Sequence, residues 1–117
     1  MRHNRSVLCF SMVPELTPAE FVALRQSGAD VVLLDVREPW ELDVAKVSGI
    51  VHIPMASVAE RLGELDPQRQ TVVMCRSGRR SMDIARFLAD KGFKSVANLK
   101  GGILAWGRDL DPSLPTY

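Results

Sequence analysis

Short apolar runs rich in β-branched residues alternate along the chain with longer segments whose apolar residues recur every three or four positions. Continuous apolar runs of this length are typical of strands buried on both faces of a parallel sheet. Because these runs alternate with helical segments, the pattern predicts an α/β domain with a largely parallel sheet and helices on both faces. The predicted strands cover residues 31–34, 49–54, 71–74 and 95–99.

Capping signals mark where the helices begin. Thr17, followed by Pro18 and Glu20, forms a capping box with proline in the first turn. Ser57 and Glu60 repeat the capping-box spacing and predict a further helix start. The predicted helices cover residues 17–27, 40–44, 57–65, 79–91 and 103–106.

Length, composition and charge narrow the class of protein. The 117 residues predict one domain over residues 14–110, between a flexible lead-in, 1–13, and a loose C-terminal tail, 111–117. A content of 46% hydrophobic and 25% charged residues is typical of a soluble globular domain. The net charge of +1 argues against nucleic-acid binding, and no apolar run is long enough to cross a membrane.

The chain has two cysteines, Cys9 and Cys75. Two are too few for a disulfide scaffold or a cysteine-based metal site, so the sequence favours a reducing compartment and a cytoplasmic protein. Cys9 lacks the charged surroundings of Cys75 and is interpreted as structural or incidental.

Positive charge is concentrated directly after the predicted strand that leads into Cys75. A turn from strand to helix directs backbone N–H groups and the positive end of the helix dipole into the loop. Such surroundings lower the pKa of a cysteine, so Cys75 is predicted to be a thiolate nucleophile in an anion-binding loop. A buried core cysteine beside a solvated basic helix face is the alternative. The loop residues are Arg76, Ser77, Gly78, Arg79 and Arg80.

The spacing within this loop separates two chemistries. Cysteine-based phosphatases place five residues between cysteine and arginine, in a loop that encloses a tetrahedral phosphate. Here four residues separate Cys75 from Arg80, and Met74 stands where those enzymes commonly have histidine. The shorter loop suits one extra sulfur atom on Cys75 and argues against a phosphatase or an arsenate reductase.

Four motifs, in order, resemble those of single-domain rhodanese-like sulfurtransferases. The segment 75–81 is similar to the family's Cys-x-x-Gly-x-Arg-Ser loop, and 99–106 is similar to its Leu-x-Gly-Gly-x-x-Ala-Trp ending. The segments 33–38 and 49–54 resemble its apolar-apolar-Asp-Val-Arg and Gly-Ala-x-x-Ile-Pro runs. Residues 45–48 depart from the Gly-His-Ile-Pro that often precedes the second of these runs.

The resemblance implies a three-layer domain with a central, mostly parallel five-stranded sheet. It also implies a two-step relay in which Cys75 takes sulfur from a small anionic donor, such as thiosulfate or a persulfide, and holds it as a persulfide. A thiophilic acceptor, cyanide in an assay and a thiol or protein cysteine in the cell, then removes the sulfur. Neither a metal nor an organic cofactor is implied, and a monomer or weak dimer is expected.

The resemblance also implies roles for individual charged residues. Arg76 and Arg79 are expected to attract the anionic donor. Arg80 could face the loop centre or lock the loop through a carboxylate. Asp35 is the expected partner for such a lock, and Arg37 is expected to help line the rim.

Three further residues receive structural interpretations. Ser81 is interpreted as part of the helix start and as a supporting residue of the site, and Trp40 and Trp106 are interpreted as core residues. The alternative to an enzyme is a non-catalytic or sulfur-carrier module that uses the same fold to bind a partner protein.

Overall fold

A computed structural model describes residues 13–117. Cys9 and all but the last residue of the predicted lead-in, 1–13, lie outside the described residues. The described part contains five strands and four α-helices. In chain order they are β1 (Glu15–Leu16), α1 (Pro18–Gln26), β2 (Val31–Asp35), α2 (Pro39–Val44), β3 (Ile50–His52), β4 (Gln70–Met74), α3 (Arg79–Asp90), β5 (Val96–Leu99) and α4 (Gly102–Asp109).

The strands form one parallel sheet in the order β1-β5-β4-β2-β3. Leu33 of β2 is in register with Ile50 of β3 on one side and with Val72 of β4 on the other. The predicted α/β fold, with a parallel five-stranded sheet and helices on both faces, is therefore confirmed. β1 was not among the strands predicted from the apolar pattern, because two residues are too few to show one; it forms by pairing with β5.

Alternate residues of the central strands supply two separate cores. Leu34 and Val73 point to the face covered by α3, where they join a buried cluster. Leu33 and Val72 point to the opposite face, where they join the cluster containing residues of α1 and α4. The side chains of neighbouring strand residues lie on opposite faces of a sheet, so β2 and β4 are buried on both. Their continuous apolar sequence follows from this position.

The helix predicted over residues 57–65 is wrong. The structure has two 3₁₀ turns there instead, Met55–Ser57 and Leu62–Glu64. Gly63 weakens any α-helix through this segment, and short turns still bury Val58 and Leu65 against the core. The capping box at Thr17 is confirmed, because its hydroxyl accepts from the Glu20 N–H at 3.1 Å and the Glu20 carboxylate accepts from the Thr17 N–H.

The two tryptophans occupy different environments. Trp106 is buried and packs against Phe21, with ring centroids 6.0 Å apart, as expected for a core residue. Trp40 is 59% exposed, so its interpretation as a core residue is wrong. In the short helix α2 the buried position belongs to the next residue, Glu41, and this leaves Trp40 facing outward.

The carboxyl ends of the parallel strands meet at one edge of the sheet. Asp35 ends β2, and Met74, its partner in register, ends β4 immediately before Cys75. Ligands of open parallel sheets bind at this edge. No helix among residues 13–117 is both long and apolar enough to cross a membrane.

Candidate active site

Cys75 follows β4, and the three-residue loop 76–78 connects it to α3. Gly78 adopts a left-handed conformation with φ of 104° and is the residue that precedes the helix. Its backbone N–H donates to the sulfur of Cys75 at 3.1 Å, and the hydroxyl of Ser81 donates to the same atom at 3.2 Å. Two donors from the beginning of α3 therefore converge on one thiol.

The loop backbone is held from outside by α4. The N–H groups of Ile103 and Leu104 donate to the carbonyl oxygens of Cys75 and Arg76 at 2.9 and 3.1 Å. A side chain on Gly102 would collide with these same carbonyl groups. Because the carbonyls point toward α4, the N–H groups of the loop are left to face the sulfur. The glycine preceding Ile103 is thus required by the close approach of loop and helix.

Asn98 adds a third attachment behind the loop. Its side-chain amide lies at the end of β5 and donates to the carbonyl oxygen of Gly78 at 3.0 Å. The same nitrogen donates to the carboxylate of Glu15 at 3.0 Å. A buried polar side chain in an otherwise apolar strand therefore fixes the residue whose N–H meets the sulfur.

The surroundings of Cys75 act on its pKa in opposite directions. Burial raises the pKa of the thiol, since the residue is only 1% exposed. Hydrogen bonds from the Ser81 hydroxyl and from the N–H groups of Ser81, Gly78 and Ser77 lower the pKa by more, so it falls below its ordinary value. The arrangement therefore favours a thiolate, the reactive form of cysteine.

The three loop arginines have different environments. Arg80 forms a bidentate ion pair with Glu41, with N–O distances of 2.7 and 2.8 Å. Hydrogen bonds from Arg80 lower the pKa of Glu41 to about 2, against burial, which would raise it. Arg76 donates through Nε and Nη2 to the backbone oxygen of Tyr117. Among residues 13–117, Arg79 is exposed and has no hydrogen-bond or ion-pair partner; it borders a shallow groove of about 370 Å³ beside α3.

The charged cluster after β2 is a closed network. Arg37 is fully buried and pairs with Asp35 through Nη2 at 2.8 Å and Nε at 3.0 Å. Its remaining N–H groups donate to the carbonyls of Glu41 and Ala45 and to the hydroxyl of Tyr117. Two expectations are therefore wrong. Asp35 pairs with Arg37 rather than Arg80, and Arg37 lies beneath the rim instead of lining it.

A search against protein-family models matches residues 17–109 to the rhodanese-like domain. The match covers most of the chain, including the Cys75 loop, Asn98 and helix α4, which hold it. The chain belongs to the rhodanese-like family. The family resemblance carried by the four sequence motifs is thereby confirmed.

Similar proteins share this rhodanese-like domain in chains of different length. The chain is 42% identical over 89 residues to the rhodanese-like/PpiC domain-containing protein 12 of Arabidopsis thaliana, covering 73% of this chain and 30% of that protein. It is 38% identical over 97 residues to a sulfurtransferase of Allochromatium vinosum, covering 83% and 91%. The crystal structure of reduced Bacillus anthracis CoADR-RHD superposes with a TM-score of 0.77 at 31% identity, covering 90% of this chain and 18% of that chain.

Several residues of the rhodanese-like site were missed by the sequence analysis. Ser81 was predicted to support the site from the helix start, but its direct hydrogen bond to the sulfur was not foreseen. Glu41 repeats a capping-box spacing with Glu38, a signal that marks the helix start but not the partner of Arg80. Asn98 stands out as a polar residue in an apolar strand, which is a usable sign of a buried hydrogen-bonding role. Tyr117 carried no signal in the sequence.

Proposed function

We propose that this chain is a sulfurtransferase in which Cys75 carries a sulfane sulfur as a persulfide between a donor and a thiophilic acceptor. The observation that carries the proposal is the convergence of the Gly78 N–H and the Ser81 hydroxyl on the sulfur of Cys75. Donors fixed in this way stabilise a thiolate before reaction and a persulfide anion after it. The relative named as a sulfurtransferase supports the same reading.

With thiosulfate as donor, the Cys75 thiolate attacks the outer sulfur. The new S–S bond forms as the bond to the sulfite group breaks, and sulfite leaves with the electron pair. With a persulfide donor, the same attack releases a thiolate. In the second step an acceptor thiolate, or cyanide in an assay, attacks the outer sulfur of the persulfide and returns Cys75 to its thiolate form. The charges balance in each displacement without an external oxidant or reductant.

The loop arginines divide the remaining tasks. Arg79 is exposed and has no partner among residues 13–117, so its guanidinium is free to attract an anionic donor. Arg80 is held by Glu41 and serves to brace the loop. Arg76 can offer its Nε/Nη2 edge to a donor only by leaving its contact with Tyr117. A reducing compartment such as the cytoplasm suits this chemistry, because Cys75 must remain a free thiol to accept sulfur.

Steady-state transfer of sulfur from thiosulfate or a persulfide to cyanide tests the proposal. Wild-type protein is expected to turn over with at least one of these donors, and Cys75→Ser is expected to fall to the background rate. Matching thermal unfolding of the two proteins guards against a folding defect. Equal activity of the two proteins would remove Cys75 from the mechanism, and robust hydrolysis of an aryl phosphate would favour a phosphatase instead.

A sulfur-carrier module is the second candidate, and the near-complete burial of Cys75 favours it. A sulfur held in such a position is shielded from small molecules and would be passed on only within a protein complex. Weak turnover with every small donor, together with tight capture of one partner protein, would support this alternative over a free-standing enzyme.

A further inference from the structure

Arg76 is the first residue after the nucleophile, yet its guanidinium is already engaged. Nε and Nη2 both donate to the backbone oxygen of Tyr117, and the centroid of the Tyr117 ring lies 5.2 Å from the guanidinium carbon. The Nε/Nη2 edge presents two parallel N–H groups, the geometry with which arginine binds an oxyanion. Tyr117 thus occupies one of the two edges through which Arg76 can bind an oxyanion, and its ring lies beside the same guanidinium.

Tyr117 is itself fixed by the charged network under the rim. Its hydroxyl accepts from Nη1 of Arg37 at 2.9 Å and donates to the Glu41 carboxylate at 2.8 Å. Its ring packs edge-on against Trp40, with centroids 5.8 Å apart. Residues 111–117, predicted from the sequence to be a loose tail, therefore reach the active-site rim and end in a side chain with several specific contacts.

These contacts have different consequences for thiosulfate and for persulfides as sulfur donors. The sulfonate group of thiosulfate needs N–H donors to hold its charge, and it must compete with the Tyr117 backbone oxygen for the Nε/Nη2 edge of Arg76. A neutral alkyl persulfide, R–S–SH, carries no oxyanion and can react at Cys75 without that guanidinium. Its attack by the Cys75 thiolate forms the new S–S bond and releases RS⁻, while the proton stays on the transferred sulfur.

We propose that Tyr117 is a specificity-determining residue that withholds Arg76 from small oxyanion donors and so favours persulfide donors over thiosulfate. The inference rests on the sulfur transfer proposed for Cys75. The hydroxyl of Tyr117 anchors the residue to Arg37 and Glu41. Its backbone oxygen and ring occupy the guanidinium of Arg76.

The test compares thiosulfate with benzyl persulfide as donors, with cyanide as the common acceptor. Tyr117→Ala removes the ring and the two hydroxyl hydrogen bonds that hold the backbone oxygen against Arg76. The KM for thiosulfate is therefore expected to fall by about tenfold with kcat unchanged. The kinetics with benzyl persulfide are expected to stay as in wild type. Tyr117→Phe keeps the ring but loses both anchors, and is expected to give a smaller fall. Leu110 is an exposed residue earlier in the chain, so Leu110→Ala is the matched control and should leave the KM and kcat for both donors unchanged.

An unchanged or higher KM for thiosulfate in Tyr117→Ala would overturn the inference, because Tyr117 would then be neutral or would orient Arg76 for the donor. If transfer proceeds but the preference between donors is the same in all variants, only this inference fails. If neither donor loads sulfur onto Cys75 in any variant, the proposed function fails as well.

A second readout needs no variant and reports on Tyr117 directly. Tyr117 is the only tyrosine in the chain, so the ultraviolet absorbance of tyrosinate reports this residue alone. Burial raises the pKa of Tyr117, and the hydrogen bonds to Arg37 and Glu41 act in opposite directions on it. Sulfate, an unreactive oxyanion, is expected to displace the residue from Arg76 and lower the titration midpoint. A midpoint that sulfate leaves unchanged, at concentrations where thiosulfate saturates turnover, would contradict the displacement.

Discussion

The carboxyl ends of β2 and β4 lie side by side in the sheet, and each is followed by a cluster of charged residues. After β2, Asp35 and Arg37 are fully buried and satisfy each other. After β4, N–H groups and a hydroxyl converge on the sulfur of Cys75, while Arg79 stays exposed without a partner among residues 13–117. Charge at the end of a strand is therefore not by itself a sign of a binding site.

The difference lies in where the polar groups point. The network after β2 directs its donors and acceptors at one another and at the backbone of α2, so it stabilises the rim. The loop after β4 has its carbonyls held by α4, so its donors remain available to an anion. Glu41 connects the two regions, because it lies in α2 and pairs with Arg80 of α3. Variants in the network after β2 should consequently change mainly the stability of the fold, and variants in the loop after β4 should change mainly the reactivity of Cys75.

The largest expected effect is on stability and comes from Asp35→Asn. The change leaves the buried guanidinium of Arg37 without its charged partner, which costs about 3–5 kcal/mol when one member of a buried pair is removed. Urea unfolding measures the loss. Asp30→Asn is the matched control, because its pair with Arg69 is exposed and such pairs contribute little to stability. A stable Asp35→Asn protein that has lost sulfur transfer would instead place Asp35 in the catalytic machinery.

A smaller loss, dependent on pH, is expected for Glu41→Gln. The pKa of Glu41 falls from 4.5 to about 2 on folding, so its stabilising contribution is present above 4.5 and is lost as the pH falls toward 2. The wild-type protein should lose stability through this window. Glu41→Gln should be less stable by about 2 kcal/mol at neutral pH and should depend less on pH across the window.

Unfolding by denaturant at a series of pH values provides the measurement. Glu64→Gln serves as the control, because Glu64 pairs with Arg61 on the exposed surface and its loss should have little effect. Superimposable pH profiles for wild type and Glu41→Gln would show that the bond to Arg80 does not stabilise the fold.

The smallest effect on stability, but a clear effect on reactivity, is expected for Ser81→Ala. Removing the hydroxyl takes away a hydrogen bond that lowers the pKa of Cys75, so the pKa should rise toward its ordinary value. Alkylation of Cys75 at neutral pH should slow several-fold, with its pH midpoint moved upward. Ser77→Ala is the control, since its backbone N–H remains. A midpoint that does not move in Ser81→Ala would remove the hydroxyl from the thiolate's stabilisation.

The fold was largely predictable because strands buried on both faces leave continuous apolar runs in the sequence. Val31–Asp35 and Gln70–Met74 carry that signal. The failures have local causes. Glu15–Leu16 is too short to carry a pattern, and Ser57 with Glu60 satisfies a capping motif in a segment where Gly63 weakens an α-helix.

The site was predictable only where its parts are close in sequence. Cys75 and Gly78 form a contiguous loop whose chemistry can be inferred from residue type alone. The partner of Arg80 lies 39 positions away in Glu41, and the partner of Arg76 lies 41 positions away in Tyr117. Asp35 was the predicted partner of Arg80, but the carboxylate of Asp35 instead pairs with Arg37, two residues further along the chain. Pairing over such separations depends on the packed fold.

The most direct test of the central claim is the mass of the intact protein after incubation with thiosulfate or a persulfide, followed by peptide mapping. The account predicts a gain of one sulfur atom on Cys75, its removal by cyanide, and no gain in Cys75→Ser. A gain that persists in Cys75→Ser, or that maps to Cys9 instead, would contradict the account. So would wild-type protein that accepts sulfur from neither donor.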